Sequence, residues 1–295
     1  MIEPRYPIVL VEVAEADAEE AGAHLFELGA LGVEQRDATT LLRSPSGRVV
    51  LVASFSNDDD ARAAVAAAPP AWSPRASAVV GDGWRDEWKK HFEPFVLCRA
   101  SGARARAVVV RPPWRAYDPS PGDAVIVLEP GRAFGTGLHE TTRLVAEVLA
   151  DRAATLAESA VLDVGCGSGI LALTAVALGA TGARAIDVDP DAVAAARENA
   201  ERNGWADCIH VDDARASALT AQYGLVLANI EAHPLIGLAP ALEARVAPGG
   251  VLVLSGILAP DVAAQWDDVR RAYAGFGVRE IRQRGEWIAA VLERA

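Results

Sequence analysis

Three glycines, three carboxylates and one amide, each at the end of an apolar run, are the residues here whose types and spacing could do chemistry. Asp163-Val164-Gly165-Cys166-Gly167-Ser168-Gly169 follows Val161-Leu162 and precedes a helical pattern from Leu171 to Leu178. That order reads as a buried strand, a tight turn and a helix N-terminus. Alternate glycines let the backbone turn sharply and let a ligand reach the main chain without meeting a Cβ. Free N–H groups at the helix start would favour electron-rich groups. The next run, Ala183-Arg184-Ala185-Ile186, ends at Asp187, twenty-two residues after Gly165. A carboxylate there can accept hydrogen bonds from a ribose diol. A third run, 208–211, ends in Asp212-Asp213. Asp213 is the better placed to accept from the exocyclic amine of an adenine, and a solvated turn acid is the equal alternative. A fourth, Leu225-Val226-Leu227-Ala228, ends at Asn229, where open α/β sheets bind their ligands.

The glycine spacing separates two cofactor classes. A dinucleotide site spaces its glycines G-x-G-x-x-G to seat a pyrophosphate. The spacing here is G-x-G-x-G, with Asp163 before it. It resembles the first motif of the S-adenosylmethionine-dependent methyltransferases, whose ligand carries an amino acid and no phosphate. A second glycine-rich stretch runs from Pro130 to Thr142 and includes Phe134, Gly135 and His139. It holds too little apolar surface to bury itself, and loops of that kind are placed for ligands. His139 reads as a loop-orienting residue rather than a general base.

The elements that must position these groups follow from periodicity. Strands are expected near 7–13, 32–37, 39–43, 48–55 and 76–80, with helices at 16–28 and 58–68. The order β-α-β-β-α-β predicts a ferredoxin-like α/β sandwich over residues 1–81. Trp84, Trp88 and Phe92 recur at helical spacing, so 82–95 reads as a linker helix whose aromatic stripe packs. Runs at 105–110 and 124–128 read as the opening hairpin of a second domain over 96–295. A helix at 140–150 and alternating strands and helices to 292 predict a doubly wound, Rossmann-like α/β sheet there.

Composition removes other classes. The net charge is −12, and residues 1–81 hold twelve acids against six arginines. That disfavours a bare nucleic-acid substrate and suits a basic protein partner, or plain solubility. No apolar run spans a bilayer, and the opening residues do not read as a signal peptide. Cys98, Cys166 and Cys208 are odd in number with no C-x-x-C pair, so neither disulfides nor a metal is expected and a reducing cytoplasm fits.

Together the motifs resemble the bacterial ribosomal protein L-eleven methyltransferases across the whole chain. The matching stretches are Trp84-x-x-x-Trp88-x-x-x-Phe92-x-Pro94, the Phe134-Gly135-Thr136-Gly137 loop with His139, Thr141 and Thr142, the Asp163 turn, Asp187-x-Asp189-Pro190, Ala228-Asn229-Ile230, and Ser255-Gly256-Ile257-Leu258. The resemblance implies a two-domain class I methyltransferase that methylates amino groups of a large-subunit ribosomal protein gripped by the N-terminal domain; a cytoplasmic monomer is expected. It implies S-adenosylmethionine contacts at Thr142, Gly165, Asp187 and Asn229; Phe134, Gly135, Gly167 and Asp213 are further candidate cofactor contacts from their own positions, and Asn229 is also the candidate catalytic residue. Arg132, Leu138, Glu140 and Gly224 depart from the pattern. A lysine methyltransferase with another protein acceptor and a non-catalytic cofactor-binding module are the alternatives. Base-amine methylation fits less well, because Ile230-Glu231-Ala232 replaces the Pro-Pro-aromatic run usual after that asparagine.

Overall fold

Pro7–Val13 and Arg48–Phe55 are short, nearly continuous apolar runs rich in valine, which suits strands, and along the first burial alternates so that Val9, Val11 and Val13 face the core. The computed structural model describes residues 5–14, 17–36, 48–80, 92–102, 105–129, 135–156 and 159–294. The chain divides into two units, Met1–His91 and Phe92–Ala295.

The first unit contains β1 (Arg5–Ala14), α1 (Ala18–Glu27), β2 (Gly32–Arg36), β3 (Arg48–Ser54), α2 (Asp58–Ala67) and β4 (Arg75–Val80). The strands form an antiparallel sheet in the order β2-β3-β1-β4, the ferredoxin-like arrangement. Val9, Val11 and Val13 meet Val49, Leu51 and Ala53 beneath Ala21, Leu25, Ala61 and Ala64. Asn57 caps α2 by accepting from the Asp60 N–H at 2.9 Å, and Asp58, Asp59 and Asp60 complement the helix dipole. The strand expected at 39–43 lies outside the described residues.

The second unit opens with β5 (Phe95–Ala100), β6 (Arg106–Arg111) and β7 (Ala124–Val127). Here the structure corrects the sequence reading. The expected hairpin partners, β6 and β7, are parallel, and the antiparallel partner of β6 is β5. The long turn-rich span 112–123 carries the chain back to start β7 alongside β6, which a tight hairpin could not do. The linker helix expected over 82–95 falls largely outside the described residues, including Trp84 and Trp88. Its last part is not helical: Phe95 opens β5, and Pro94 disfavours a helix ahead of it. Phe92 is buried and packs edge-on against Phe95.

There follow α3 (Glu140–Asp151), α4 (Ala153–Leu156), β8 (Ala160–Val164), α5 (Ile170–Ala177), β9 (Gly182–Ile186), α6 (Pro190–Arg202), β10 (Ile209–Asp212) and β11 (Tyr223–Asn229). The chain ends with α7 (Ala232–Arg245), β12 (Val246–Leu258), α8 (Gln265–Ala272), β13 (Phe276–Arg284) and β14 (Trp287–Arg294). Seven strands form one sheet in the order β10-β9-β8-β11-β12-β14-β13. The first five are parallel, and β14 enters antiparallel between β12 and β13. Successive residues point to opposite faces. Val161, Leu225, Leu227 and Val253 pack against α3, α5 and α6, whereas Leu162, Val226, Ala228 and Leu254 pack against α7 and α8. Both faces are covered, which is why the strands read as continuous apolar runs rather than alternating ones. The order reverses between β8 and β11, and this is where a crevice opens at the strand ends.

Candidate active site

The crevice is a cavity of about 740 Å³ built at the carboxyl ends of β8, β9 and β11. Gly165 and Gly167 form one wall, Asp187 and Asp189 the next, Ala214 to Ser217 a third, and Asn229, Ile230 and Glu231 the fourth. His139 and Thr141 enter from the start of α3, and Trp287 from the start of β14.

The glycine turn is docked onto the end of β9. The N–H groups of Gly165 and Cys166 both donate to the Ile186 carbonyl, at 2.8 and 3.1 Å. The N–H of Gly167 donates to Asp187 Oδ2 at 2.9 Å. These N–H groups are taken up within the protein, so the turn offers an open surface rather than a phosphate cradle. Gly165 has φ +71°, and a Cβ there would stand 2.3 Å from Ile230 Cγ2. Ile230 is trapped from behind as well: a Cβ on Gly256 would lie 2.3 Å from the Ile230 carbonyl oxygen. Gly256 sits where the β12–β14 register shifts, with φ +83°.

Asp187 is held at both oxygens. Oδ2 accepts from Gly167 and Oδ1 from the Asp189 N–H at 3.1 Å. Asp189 in turn caps α6 through the Asp191 N–H, with Pro190 in the first turn. Asn229 ends β11, and its Nδ2 donates to Thr142 Oγ1 at 3.5 Å. Thr142 is buried. With the amide nitrogen directed to Thr142, Oδ1 is the atom Asn229 presents as an acceptor. His139 caps α3: its Nδ1 lies 2.8 Å from Thr141 Oγ1, and its ring meets Trp287 edge-on at 5.2 Å. That geometry suits a residue that orients the loop.

Of the expected site residues, Gly165, Gly167, Asp187 and Asn229 share the cavity wall. Thr142 is one layer behind, touching Asn229. Gly135 is not on the wall; its carbonyl accepts from Ser168 Oγ at 2.5 Å. Phe134 lies outside the described residues. Asp213 is exposed and does not line the cavity, whose wall passes from Asp189 and Ala192 to Ala214. Arg184 pins the preceding Asp212 at 2.8 Å, and the Ala214 N–H donates to Asp212 Oδ1 at 2.8 Å. The turn so formed leaves Asp213 facing solvent. Thr141 and Gly256 line the cavity from within motifs already legible in the sequence. Arg215, Leu238 and Trp287 do so with no local signal.

Behind the turn, Asp163 is 1% exposed; Oδ2 accepts from the Ala172 N–H at 3.2 Å, and Oδ1 has no partner among the described residues. Burial, reinforced by the nearby Asp187 charge, pushes its pKa up to about 7, against the pull of the Ala172 N–H. The folded state therefore binds this proton more tightly than the unfolded chain. The stability so gained is complete below pH 3.8 and is lost as pH rises through about 7. In ligand-free protein, Asp163→Asn should melt above the parent at pH 8, and the gap should narrow towards pH 5. A gap independent of pH would contradict this.

Among the described residues there is no cluster that could hold a metal ion and no helix long and apolar enough to cross a membrane.

The model of one family, described as ribosomal protein L11 methyltransferase (PrmA), matches residues 6–295. A protein of Sorangium cellulosum named ribosomal protein L11 methyltransferase is 52% identical over 262 residues, covering 87% of this chain and 80% of its own. One of Pelobacter propionicus with the same name is 43% identical over 230 residues, 75% of this chain and 70% of its own. A crystal structure described as ribosomal protein L11 methylase from Lactobacillus delbrueckii subsp. bulgaricus superposes with a TM-score of 0.59 at 31% identity. That match covers 69% of this chain and 99% of the other.

Proposed function

We infer the reaction from one premise: the chain belongs to the ribosomal protein L11 methyltransferase family. It is a class I methyltransferase that acts on protein amino groups of ribosomal protein L11, both lysine ε-amines and the N-terminal α-amine, with S-adenosylmethionine as methyl donor. The observation that carries this reading is the Asn229 amide on the wall of the same cavity as Gly165 and Asp187.

The residues present fit the donor. Asp187 is oriented by two backbone N–H groups and keeps lone pairs for the hydroxyls of a ribose. The turn's N–H groups are taken, so the site makes no demand for a phosphate. Asp187, Asp189 and Glu231 on the wall against Arg215 favour a cationic ligand. The cavity volume falls within the range of cofactor sites, roughly 300–1,000 Å³. Bound there, S-adenosylmethionine would supply an electrophilic methyl group on a sulfonium.

The task left to the chain is to present an uncharged amine. Deprotonating a lysine at pH 7 costs roughly 4.6 kcal/mol, and an α-amine about 1 kcal/mol. Desolvation at the apolar wall of Ile230, Pro234, Leu238 and Trp287 disfavours the ammonium and lowers that cost. Asn229 Oδ1 then accepts from an amine N–H and aims the lone pair, while Thr142 holds the amide in place. His139, tied to Thr141 and Trp287, orients the loop, and the amine's proton leaves to solvent.

We assign the acidic first unit to recognition of the basic ribosomal protein, with residues 82–95 as the linker. Incubation with labelled S-adenosylmethionine and a ribosomal protein mixture tests the whole reading. Label on L11 is expected; label on another protein, or on none, overturns it.

A further inference from the structure

Ser168 and Asn199 are among the buried polar side chains that belong to no wall of the cavity. Ser168 is 4% and Asn199 1% exposed. Asn199, on α6, donates from Nδ2 to the Ser168 carbonyl at 3.0 Å. Its Oδ1 accepts from the Glu129 N–H at 3.3 Å and from Arg202 Nη1 at 2.7 Å. Arg202 also reaches Glu129 Oε2 at 2.7 Å. One turn further along α6, Asn203 pairs with both the N–H and the carbonyl of Val127, each at 2.8 Å. The exit of β7 is thus fixed to α6 by side chains that replace a neighbouring strand.

From Ser168 the chain of bonds continues, its Oγ donating to Gly135 O at 2.5 Å. The approach is close enough that a Cβ on Gly135 would stand 3.0 Å from that Oγ. Glu129 and Gly135 are therefore both tied, directly or through Asn199, to one residue of the glycine turn. Ser168 follows Gly167 of one cavity wall, and Gly135 precedes His139 and Thr141 of another.

We propose that Ser168 is a positioning residue, itself held by Asn199: its Oγ locks the 135–142 segment against the glycine turn, and cofactor affinity depends on that lock. It rests on the reading that the cavity takes S-adenosylmethionine. A buried hydroxyl or amide left without its partner loses its hydrogen bond and keeps its desolvation cost. Once Ser168 Oγ is removed, the Gly135 carbonyl must find water, and the segment carrying His139, Thr141 and Thr142 is free to shift. Supports of this kind decide whether a site holds its geometry.

Ser168→Ala and Asn199→Asp test this. The aspartate keeps the acceptor for Glu129 and Arg202 and loses the donor to Ser168. The probes are calorimetric binding of S-adenosylhomocysteine and amide exchange over 135–142 in ligand-free protein. Each variant should bind about tenfold more weakly and exchange faster over that segment, with α7 and the first unit unchanged. A folded Ser168→Ala that binds like the parent, or that exchanges faster without losing affinity, overturns the proposal. Should Ser168→Ala not fold, Asn199→Asp decides by the same two readings. Exchange in ligand-free protein does not require methyl transfer. A parent that transfers no methyl while the variants loosen 135–142 would sink the proposed reaction and leave the structural lock standing.

Discussion

Replacing Asn229 by alanine should lower the turnover number roughly 10²- to 10³-fold, the usual effect of deleting a preorganised polar group at the reacting atoms. The side chain stands at the carboxyl end of β11, and Thr142 fixes its nitrogen. Alanine removes the acceptor that aims the amine and leaves Thr142 Oγ1 without the bond to that amide. In the proposed reading Asp187 and the glycine turn hold the cofactor, so affinity for S-adenosylhomocysteine should change less than turnover. A split between kcat and Kd is thus the diagnostic result. Parent-like turnover in a variant that still binds S-adenosylhomocysteine would remove Asn229 from the mechanism. Asn229→Asp is a useful companion: it keeps an acceptor oxygen, but its charge favours the ammonium over the free amine, so its loss of turnover should shrink as pH rises.

The second large effect is expected at Gly165. Alanine there must adopt φ +71°, which costs roughly 1–2 kcal/mol for an L residue. The added methyl would also lie 2.3 Å from Ile230 Cγ2. Ile230 is β-branched and stiff at χ1, and its backbone lies against Gly256, so it cannot retreat. Strain and overpacking together should destabilise the second unit by about 3 kcal/mol and weaken S-adenosylhomocysteine binding more than tenfold. Denaturant unfolding and calorimetry measure the two effects. Ile230→Ala in the same chain should recover part of the loss, because it removes the opposing methyl but not the strained φ. A double-mutant cycle isolates that coupling. Additive losses would show that the Gly165–Ile230 contact is not the cause.

The sequence by itself determined the features that are local. Asp163 to Gly169 reads as strand, turn and helix because apolar periodicity changes within a few residues of three glycines, and that is what forms. Asp187 and Asn229 were legible for the same reason: each is the first polar residue after an apolar strand, and strand ends are where such sheets bind. The β-α-β-β-α-β order of the first unit and the helix–strand alternation of the second follow from periodicity alone.

What the tertiary structure decided concerns partners distant in sequence. No local pattern tells that β7 runs parallel to β6, because a strand's partner is set by where a long connection can lie. Asp213 had the right chemistry and position, yet Arg184 on the neighbouring strand holds Asp212 and turns Asp213 outward. The N–H groups of Gly165, Cys166 and Gly167 find their partners in the Ile186 carbonyl and the Asp187 carboxylate, which no local pattern announces. Trp287 reaches the cavity only because β14 inserts beside β12, more than a hundred residues after the turn it faces. Residue types along a short stretch fix what a group is able to do. Packing between distant segments fixes whether it meets the ligand, because burial and hydrogen-bond pairing are properties of neighbours in space.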